Sequence, residues 1–386
     1  MKMLKSLIIT IFIILFNFNS SLYSQELNNK IKIGLLVPFS GEYAEVGKSL
    51  LYSLQLALKE IDDDKVIIYP KDTGFNDREK LNKKIKELIE EDVKVVIGPL
   101  TKTELNEVYK YKNLTFVSLS NINPGIKNNV ISIGVGLESQ LLAIKKFLEK
   151  ENKNKIAILY PDNSYSNFIE EKLKKIEIKP FKTLKYNSDP RIITGEIEKL
   201  TNYSQRKRNL ENRKKILEKR DDPASERELK ILEQRYTLGK VNFDSVIVLD
   251  FGSNLKSVLA SLVFADVNQK DVIFTTINQW FDKSIFFENS IKTLFYPSVD
   301  FKNYEKFNKE YFKNYNQYPS EIGILAYDAL GLIYYVWNKK DGIQSARDFV
   351  IKDKIKSKIG SFKFIENEII QDLNIYKVEG KKFKKL

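Results

Sequence analysis

The 386-residue chain contains no cysteine and no histidine. Without cysteine there can be no disulfide, no thiolate nucleophile and no lipid attached through a cysteine sulfur. Without histidine there is no imidazole general base and no triad built on one. The two absences together remove ordinary zinc and haem ligation. Carboxylates, lysine, serine and tyrosine remain, so the inventory leaves hydrolysis by paired acids or by a Ser/Lys mechanism open. It favours binding over catalysis, and no cofactor is expected.

Long apolar runs are also scarce, the one at the start being about ten residues. Residues 1–24 begin with Lys2 and Lys5, continue through an apolar stretch at 7–16 broken by Thr10, and leave through Ser20, Ser21 and Ser24. This is the layout of a secretory signal peptide cleaved after Ser24. A permanent anchor would need roughly 20 apolar residues, and Asn17 and Asn19 interrupt this stretch well before that. The expected location is therefore the periplasm, without a lipid anchor and with no membrane span after cleavage.

Lysine and arginine outnumber acids 64 to 51, a formal charge of +13, and removal of Lys2 and Lys5 leaves 13 − 2 = +11. That excess could suggest nucleic acid. The lysines instead alternate with glutamates, as in 80–91 and 172–179, with no glycine-aromatic RNA motif and no basic recognition helix. A solvated lysine-rich surface is expected and no nucleic-acid partner, with attraction to an anionic cell-wall polymer or membrane surface left open.

After the leader, short apolar runs alternate with amphipathic segments. Strands are expected at 32–37, 66–69, 93–97, 115–119 and 130–133. Helices are expected from about Lys48, with Leu50, Leu51, Leu54 and Leu58 on one face, and at 78–90 and 138–150. The pattern then restarts: strands at 156–160, 183–186, 245–249 and 272–276, with helices at 165–175 and 254–263. Such alternation calls for parallel sheets covered on both faces. The length suits two lobes, so the expected fold class is α/β, two doubly wound, Rossmann-like lobes with a cleft between them. In open α/β sheets the loops leaving the carboxyl ends of the strands hold the ligand.

One segment breaks the alternation. Residues 203–236 hold Arg206, Lys207, Arg208, Arg213, Lys214, Lys215, Lys219 and Arg220 among glutamates, a break at Asp221-Asp222-Pro223, and few apolar residues. They read as a charged helical hairpin inserted in the second lobe, either a solvated excursion or a docking arm for another protein.

These residues resemble the type I periplasmic binding proteins of the leucine-binding group. The likeness rests on Ile33-Gly34-Leu35-Leu36-Val37-Pro38-Phe39-Ser40-Gly41 with Gly47, on Asp72 with Asn76-Asp77, and on Val95-Val96-Ile97-Gly98-Pro99. It continues through Ser118 to Asn121 with Asn123-Pro124, Ala326-Tyr327-Asp328-Ala329 and Gly360-Ser361-Phe362-Lys363-Phe364. The resemblance implies two lobes that close on a small ligand, with a first lobe at 25–135 plus 296–340 and a second at 136–295 plus 341–386. It implies ligand contacts from Thr101, Lys102, Thr103, Ser118, Ser120 and Asn121 in the first lobe and from Tyr165, Phe251, Gln279 and Trp280 in the second. Two departures weigh against a free α-amino acid as ligand. Ile122 replaces the group's threonine before the Asn-Pro step, and the 276–280 stretch offers an amide and an indole where an acid would neutralise a ligand amine.

The insertion, ending in Arg235-Tyr236-Thr237-Leu238-Gly239, is similar to that of penicillin-binding-protein activators, which contact a peptidoglycan synthase. Two non-enzymatic readings follow: a solute-binding protein delivering a small polar ligand to an ABC permease, or a regulator of cell-wall synthesis acting by protein contact. Smaller matches carry less. Gly134-Val135-Gly136 lacks the third glycine of a dinucleotide site, where Ser139 stands. Ser204-Gln205-Arg206-Lys207 has no partner motif, and Asp62-Asp63-Asp64 lacks the spacing of a calcium loop.

Overall fold

The computed structural model describes residues 30–121, 129–287, 291–365 and 368–386. The predicted leader, Ile122, Asn123 and Pro124 lie outside the described residues. The chain divides into two compact units. One runs up to Gly134 and takes in Glu305–Lys358 and Lys363–Ile369; the other comprises Val135–Tyr304, Ile359–Phe362 and Ile370–Leu386.

The first unit is built on five parallel strands, β1 (Ile31–Val37), β2 (Val66–Asp72), β3 (Val95–Ile97), β4 (Thr115–Ser118) and β5 (Val130–Ser132), in the order β2-β1-β3-β4-β5. Ile33, Leu35, Leu36 and Val37 are fully buried, as a strand covered on both faces requires. Helices α1 (Ala44–Ile61), α2 (Arg78–Glu90) and α3 (Lys102–Val108) connect them. Leu81, Ile85 and Leu88 of α2 join Leu36, Val96 and Phe116 in one core.

In the second unit come α4 (Leu137–Lys150), β6 (Ile156–Pro161), α5 (Ser166–Lys175), β7 (Lys182–Tyr186), α6 (Pro190–Leu200), α7 (Tyr203–Leu217) and α8 (Pro223–Glu233). They are followed by β8 (Ser245–Val248), α9 (Gly252–Phe264), β9 (Ile273–Thr276) and β10 (Leu294–Ser298). Helix α6 was not anticipated, although Asp189 caps it and Pro190 opens it, an ordinary start signal.

The chain returns through α10 (Phe301–Tyr315) to α11 (Gly323–Lys340), which packs along α1 and carries Trp337. It ends in the short strands β11 (Ile355–Ser357), β12 (Gly360–Ile365) and β13 (Glu368–Asp372), then β14 (Asn374–Glu379) and β15 (Lys382–Lys385). Residues 341–358, expected with the second lobe, pack in the first unit. Phe349 is buried there, and the Lys358 amide donates to Asp328 on α11 at 2.8 Å.

The second sheet runs β15-β14-β10-β9-β8-β6-β7. Strands β7-β6-β8-β9 pair in parallel and β10 joins β9 in the same sense, which repeats the strand order of the first unit; β14 and β15 are antiparallel additions.

The 203–236 segment is tied to this unit by a buried guanidinium. Arg206 donates to the carbonyls of Thr201 at 3.0 Å, Asp266 at 3.2 Å and Ala265, and to Thr237 Oγ1 at 2.9 Å. It thereby satisfies carbonyls at the end of α9 that have no helical partner. Leu210, Leu217 and Leu232 form a small core between α7 and α8, while Ile216, Ile231 and Tyr236 are exposed.

Candidate functional site

A 2-1-3-4-5 strand order reverses direction beside its first strand, so crevices open at the carboxyl ends between β1 and β3 and between β6 and β8. Each edge is described in turn.

At the first, glycine is required by close approach. A Cβ on Gly98 (φ +110°) would stand 2.2 Å from the Leu36 carbonyl oxygen, and one on Gly47 would stand 1.7 Å from that of Pro38. Asp72, ending β2, accepts from the Phe39 amide at 2.7 Å, the Gly74 amide at 3.0 Å and the Lys80 ammonium, which also reaches Ser40 Oγ at 2.9 Å. Burial opposes ionisation of this carboxyl. The donors from Lys80, Ser40, Phe39 and Gly74 outweigh it and hold the group well below the usual carboxylate range. Gly74, Phe75 and Asn76 follow with three successive positive φ angles, and the Phe75 ring stacks on Tyr43 at 3.9 Å.

Thr101 caps α3 in a reciprocal box with Glu104. Its hydroxyl donates to Asn76 Oδ1 at 2.7 Å and lies 3.1 Å from Glu104 Oε2. Ser118 Oγ donates to the Pro99 carbonyl at 2.8 Å and accepts from the Ser120 amide at 3.1 Å, which binds the loop after β4 to the loop after β3. Of the six residues expected here, Thr101 and Ser120 thus sit on adjoining loops with Ser118 at the end of β4, and the Thr101 and Ser118 hydroxyls already hold the scaffold. Lys102, Thr103 and Asn121 are exposed beside them.

At the second edge, Leu159, Val248 and Thr276 stand in register on β6, β8 and β9. Aromatic residues follow all three strands: Tyr165, 42% exposed, at the N-cap of α5; Phe251, 66% exposed, at the N-cap of α9; and the half-buried Trp280. Gln279 Nε2 donates to the Asp250 carbonyl at 3.2 Å, which joins the loops after β8 and β9. Asn278 accepts from the Trp280 amide at 3.0 Å and from Ser298 at 2.8 Å, and its own amide donates to Gln140 Oε1 at 2.8 Å.

Trp280 and Phe281 have φ of 49° and 63°, where bulky side chains are rare. Phe281 is held there by the rings of Phe301 at 4.7 Å, Tyr376 at 4.9 Å, and Tyr304 and Phe383 at 5.4 Å each. Its anchorage presents Trp280 at the rim, beside Tyr304 at 6.3 Å. The structure brings Gln279 to the Phe251 loop, while Tyr165 makes its nearest ring contact with Phe168 at 6.0 Å on its own helix.

Two acids at these edges were missed. Glu104 was legible as the fourth residue of Thr101-x-x-Glu104. Asp250 closes an apolar strand, where a buried charge is unusual. It is nearly fully buried, accepting from Tyr186 Oη at 2.5 Å and the Phe251 amide at 2.8 Å. Burial first, and then the hydrogen bond to Asp250, push the Tyr186 phenol far up.

Two grooves lie away from these edges in the second unit, one of about 690 Å3 beside α5 and one of about 940 Å3 under the segment that follows α8. Among the described residues no cluster of acids could hold a metal, and no helix is long and apolar enough to cross a membrane.

No curated protein matches the chain. Solved structures do. One is a branched-chain amino acid ABC transporter periplasmic ligand-binding protein from Burkholderia xenovorans, 10% identical, over 92% of this chain and 94% of that one, at a TM-score of 0.67. Another is the LpoA C-domain from Haemophilus influenzae, a regulator of PBP1A, 12% identical, over 92% and 99%, at 0.62. A third is an ABC-transporter solute-binding protein from Rhodopseudomonas palustris in complex with 3,4-dihydroxybenzoic acid, 14% identical, over 90% and 92%, at 0.57. A family model described as periplasmic binding protein matches residues 30–176. The chain has the fold of type I periplasmic binding proteins and, over those residues, the sequence pattern of that family.

Proposed function

We propose that the protein is a non-enzymatic periplasmic solute-binding protein that captures a small ligand for an ABC-type importer. The observation that carries this reading is the row of aromatic side chains, Tyr165, Phe251 and Trp280, that follow three neighbouring in-register strands and keep part of their surface in water. Exposed aromatics grouped at the carboxyl edge of a parallel sheet supply apolar area to a ligand at little cost in side-chain entropy. Gln279 adds an amide beside them. Thr101 and Ser118 act as scaffold, since their hydroxyls are engaged within the chain.

The test uses tryptophan emission, because Trp280 and Trp337 are the only tryptophans. Leucine, 3,4-dihydroxybenzoate and a broader solute panel are titrated against the full chain. A saturable shift that disappears in Trp280→Phe supports capture; a panel without any shift overturns it.

A second reading, a regulator of cell-wall synthesis acting by protein contact, draws on the likeness to the LpoA C-domain and on the exposed Ile216, Ile231 and Tyr236 of the insertion. It requires that deleting 203–236 abolish binding to a purified peptidoglycan synthase, whereas solute capture requires that the deletion leave ligand affinity unchanged.

A further inference from the structure

Solute capture makes no use of the charged hairpin at 203–236, yet the side chains on its surface are sorted. Residues three, four and seven apart share one side of a helix. On α7 and its C-cap that spacing puts Glu211 and Glu218 in one stripe with Lys207 and Lys214, at the i, i+4 separation that suits opposite charges. A second stripe runs through Arg208, Lys215 and Lys219, with Ile216 beside it; it holds no acid, and all four residues are exposed. Helix α8 is sorted likewise. Glu226, Lys230 and Glu233 form one exposed stripe, and Ala224, Arg227 and Ile231 form another without an acid.

The ion pair between the helices shows that the two acid-free stripes adjoin. Arg213 reaches both oxygens of Glu228, Nε at 2.7 Å and Nη2 at 2.6 Å. Arg213 stands one turn before Ile216, and Glu228 one turn before Ile231, so the two isoleucines lie on the same side of the hairpin. Ile216 is 48% exposed and Ile231 56%. Among the described residues Arg208, Lys215, Lys219 and Arg227 form no ion pair, whereas Lys71, Lys84 and Lys110 of the first unit all do. Of the two acids in the turn, Asp222 is spent on the cap of α8, which leaves Asp221 beside Arg220.

We propose that this face of the hairpin is a peripheral docking surface for an anionic lipid bilayer. The four cations meet headgroup phosphates, and Ile216 and Ile231 enter the headgroup boundary between them. The charge is complementary, and its wide spacing along a helix of about 22 Å suits a fluid surface that needs no fixed register. The isoleucines gain from an apolar layer and would gain nothing from a water-swollen polyanion. The anchorage of Arg206 and the Leu210, Leu217 and Leu232 core hold the hairpin ready in this shape. The inference goes beyond solute capture and holds whatever solute is bound.

Sedimentation with phospholipid vesicles tests it. The protein is isolated after export, so that the basic, apolar leader expected at 1–24 adds no affinity of its own. It should sediment with vesicles of phosphatidylcholine containing about one third phosphatidylglycerol, stay in solution with phosphatidylcholine alone, and be released as salt rises from about 0.05 to 0.5 M. Arg208→Gln/Lys215→Gln/Lys219→Gln should weaken vesicle affinity about a hundredfold, at roughly fivefold per cation. Lys207→Gln/Lys214→Gln/Lys230→Gln removes the same net charge from the acid-bearing stripes and should cost less than about fivefold. Ile216→Ser/Ile231→Ser should cost at least about threefold. Thermal midpoints of all variants separate loss of docking from loss of folding.

No sedimentation with the anionic vesicles overturns the proposal. So do equal losses in the two triple variants, which would reduce the effect to net charge. Displacement from the vesicles by soluble polyglutamate, with the isoleucine variant binding as the native chain does, also overturns it and makes the face a site for an acidic protein or polymer.

Discussion

In the first unit the loops after β1, β2 and β3 are tied to one another by charge: Asp72 gathers Phe39, Gly74 and Lys80, and Glu104 gathers Asn76, Leu100 and Thr101. In the second, the loops after β6, β8 and β9 carry Tyr165, Phe251 and Trp280, together with the buried Asp250 and the exposed Asp162 and Asp282. The order of the five parallel strands is the same in both. Identical topology thus sets where loops emerge, while the side chains on them decide whether an edge is closed on itself by hydrogen bonds or offers apolar surface to something else. The second unit differs further in its insertion, locked down by Arg206.

The contrast can be broken most severely at Phe281. Replacement by alanine removes a ring packed among Phe301, Tyr304, Tyr376 and Phe383 and should cost about 3–5 kcal/mol in denaturant unfolding. A loss under about 1 kcal/mol would show that the cluster does not hold the rim loop. Arg206→Met comes next. It strands the acceptors at Thr201, Ala265 and Asp266 and should cost about 2–3 kcal/mol, with faster proteolysis between α7 and α8. Unchanged proteolysis would mean the insertion does not depend on this anchor.

Asp72→Asn probes the charged edge, at about 1–2 kcal/mol near neutral pH. The sign with pH follows from the lowered carboxyl. The stability that Asp72 contributes is complete above the unfolded value of about 3.9 and is lost as pH falls towards the folded one. The gap between native and variant chains should therefore be flat from about pH 5 to 8 and close in stronger acid; a gap that widens in acid would contradict the hydrogen-bond assignment. Trp280→Phe is the mildest change, under about 1 kcal/mol in stability because the ring is partly solvated. A larger loss would make Trp280 a packing residue and weaken its assignment to the rim.

Much of this architecture can be read from the chain alone. Buried parallel strands announce themselves as uninterrupted apolar runs such as Leu35-Leu36-Val37, and α1 shows its stripe at Leu50 and Leu54. What escapes is whatever depends on partners distant in sequence. The Thr101-x-x-Glu104 spacing identifies a capping box, but the Asn76 amide that completes the carboxylate's surroundings comes from another loop. Nothing local marks Trp280 and Phe281 as left-handed, since neither is glycine and the rings that enforce the geometry include Tyr376 and Phe383 near the C-terminus. Arg206 looked like one more surface cation in a basic run; only the carbonyls at the end of α9 make it structural. The site residues suffered similarly, because a hydroxyl in the expected place, Thr101 or Ser118, is no guide to which acceptor claims it.

The discontinuity of the first unit has a temporal meaning. On the ribosome, its five strands are finished by Ser132, yet the helix that covers α1 is not made until synthesis passes Lys340. The nascent chain must carry Ser49, Ser53 and Glu60 without Ser320, Gly323 and Tyr327 beside them while the whole of Val135–Tyr304 is being added. Completion of the first unit is thereby deferred to the last stages of translation, a delay during which a chaperone would still find an unfinished substrate.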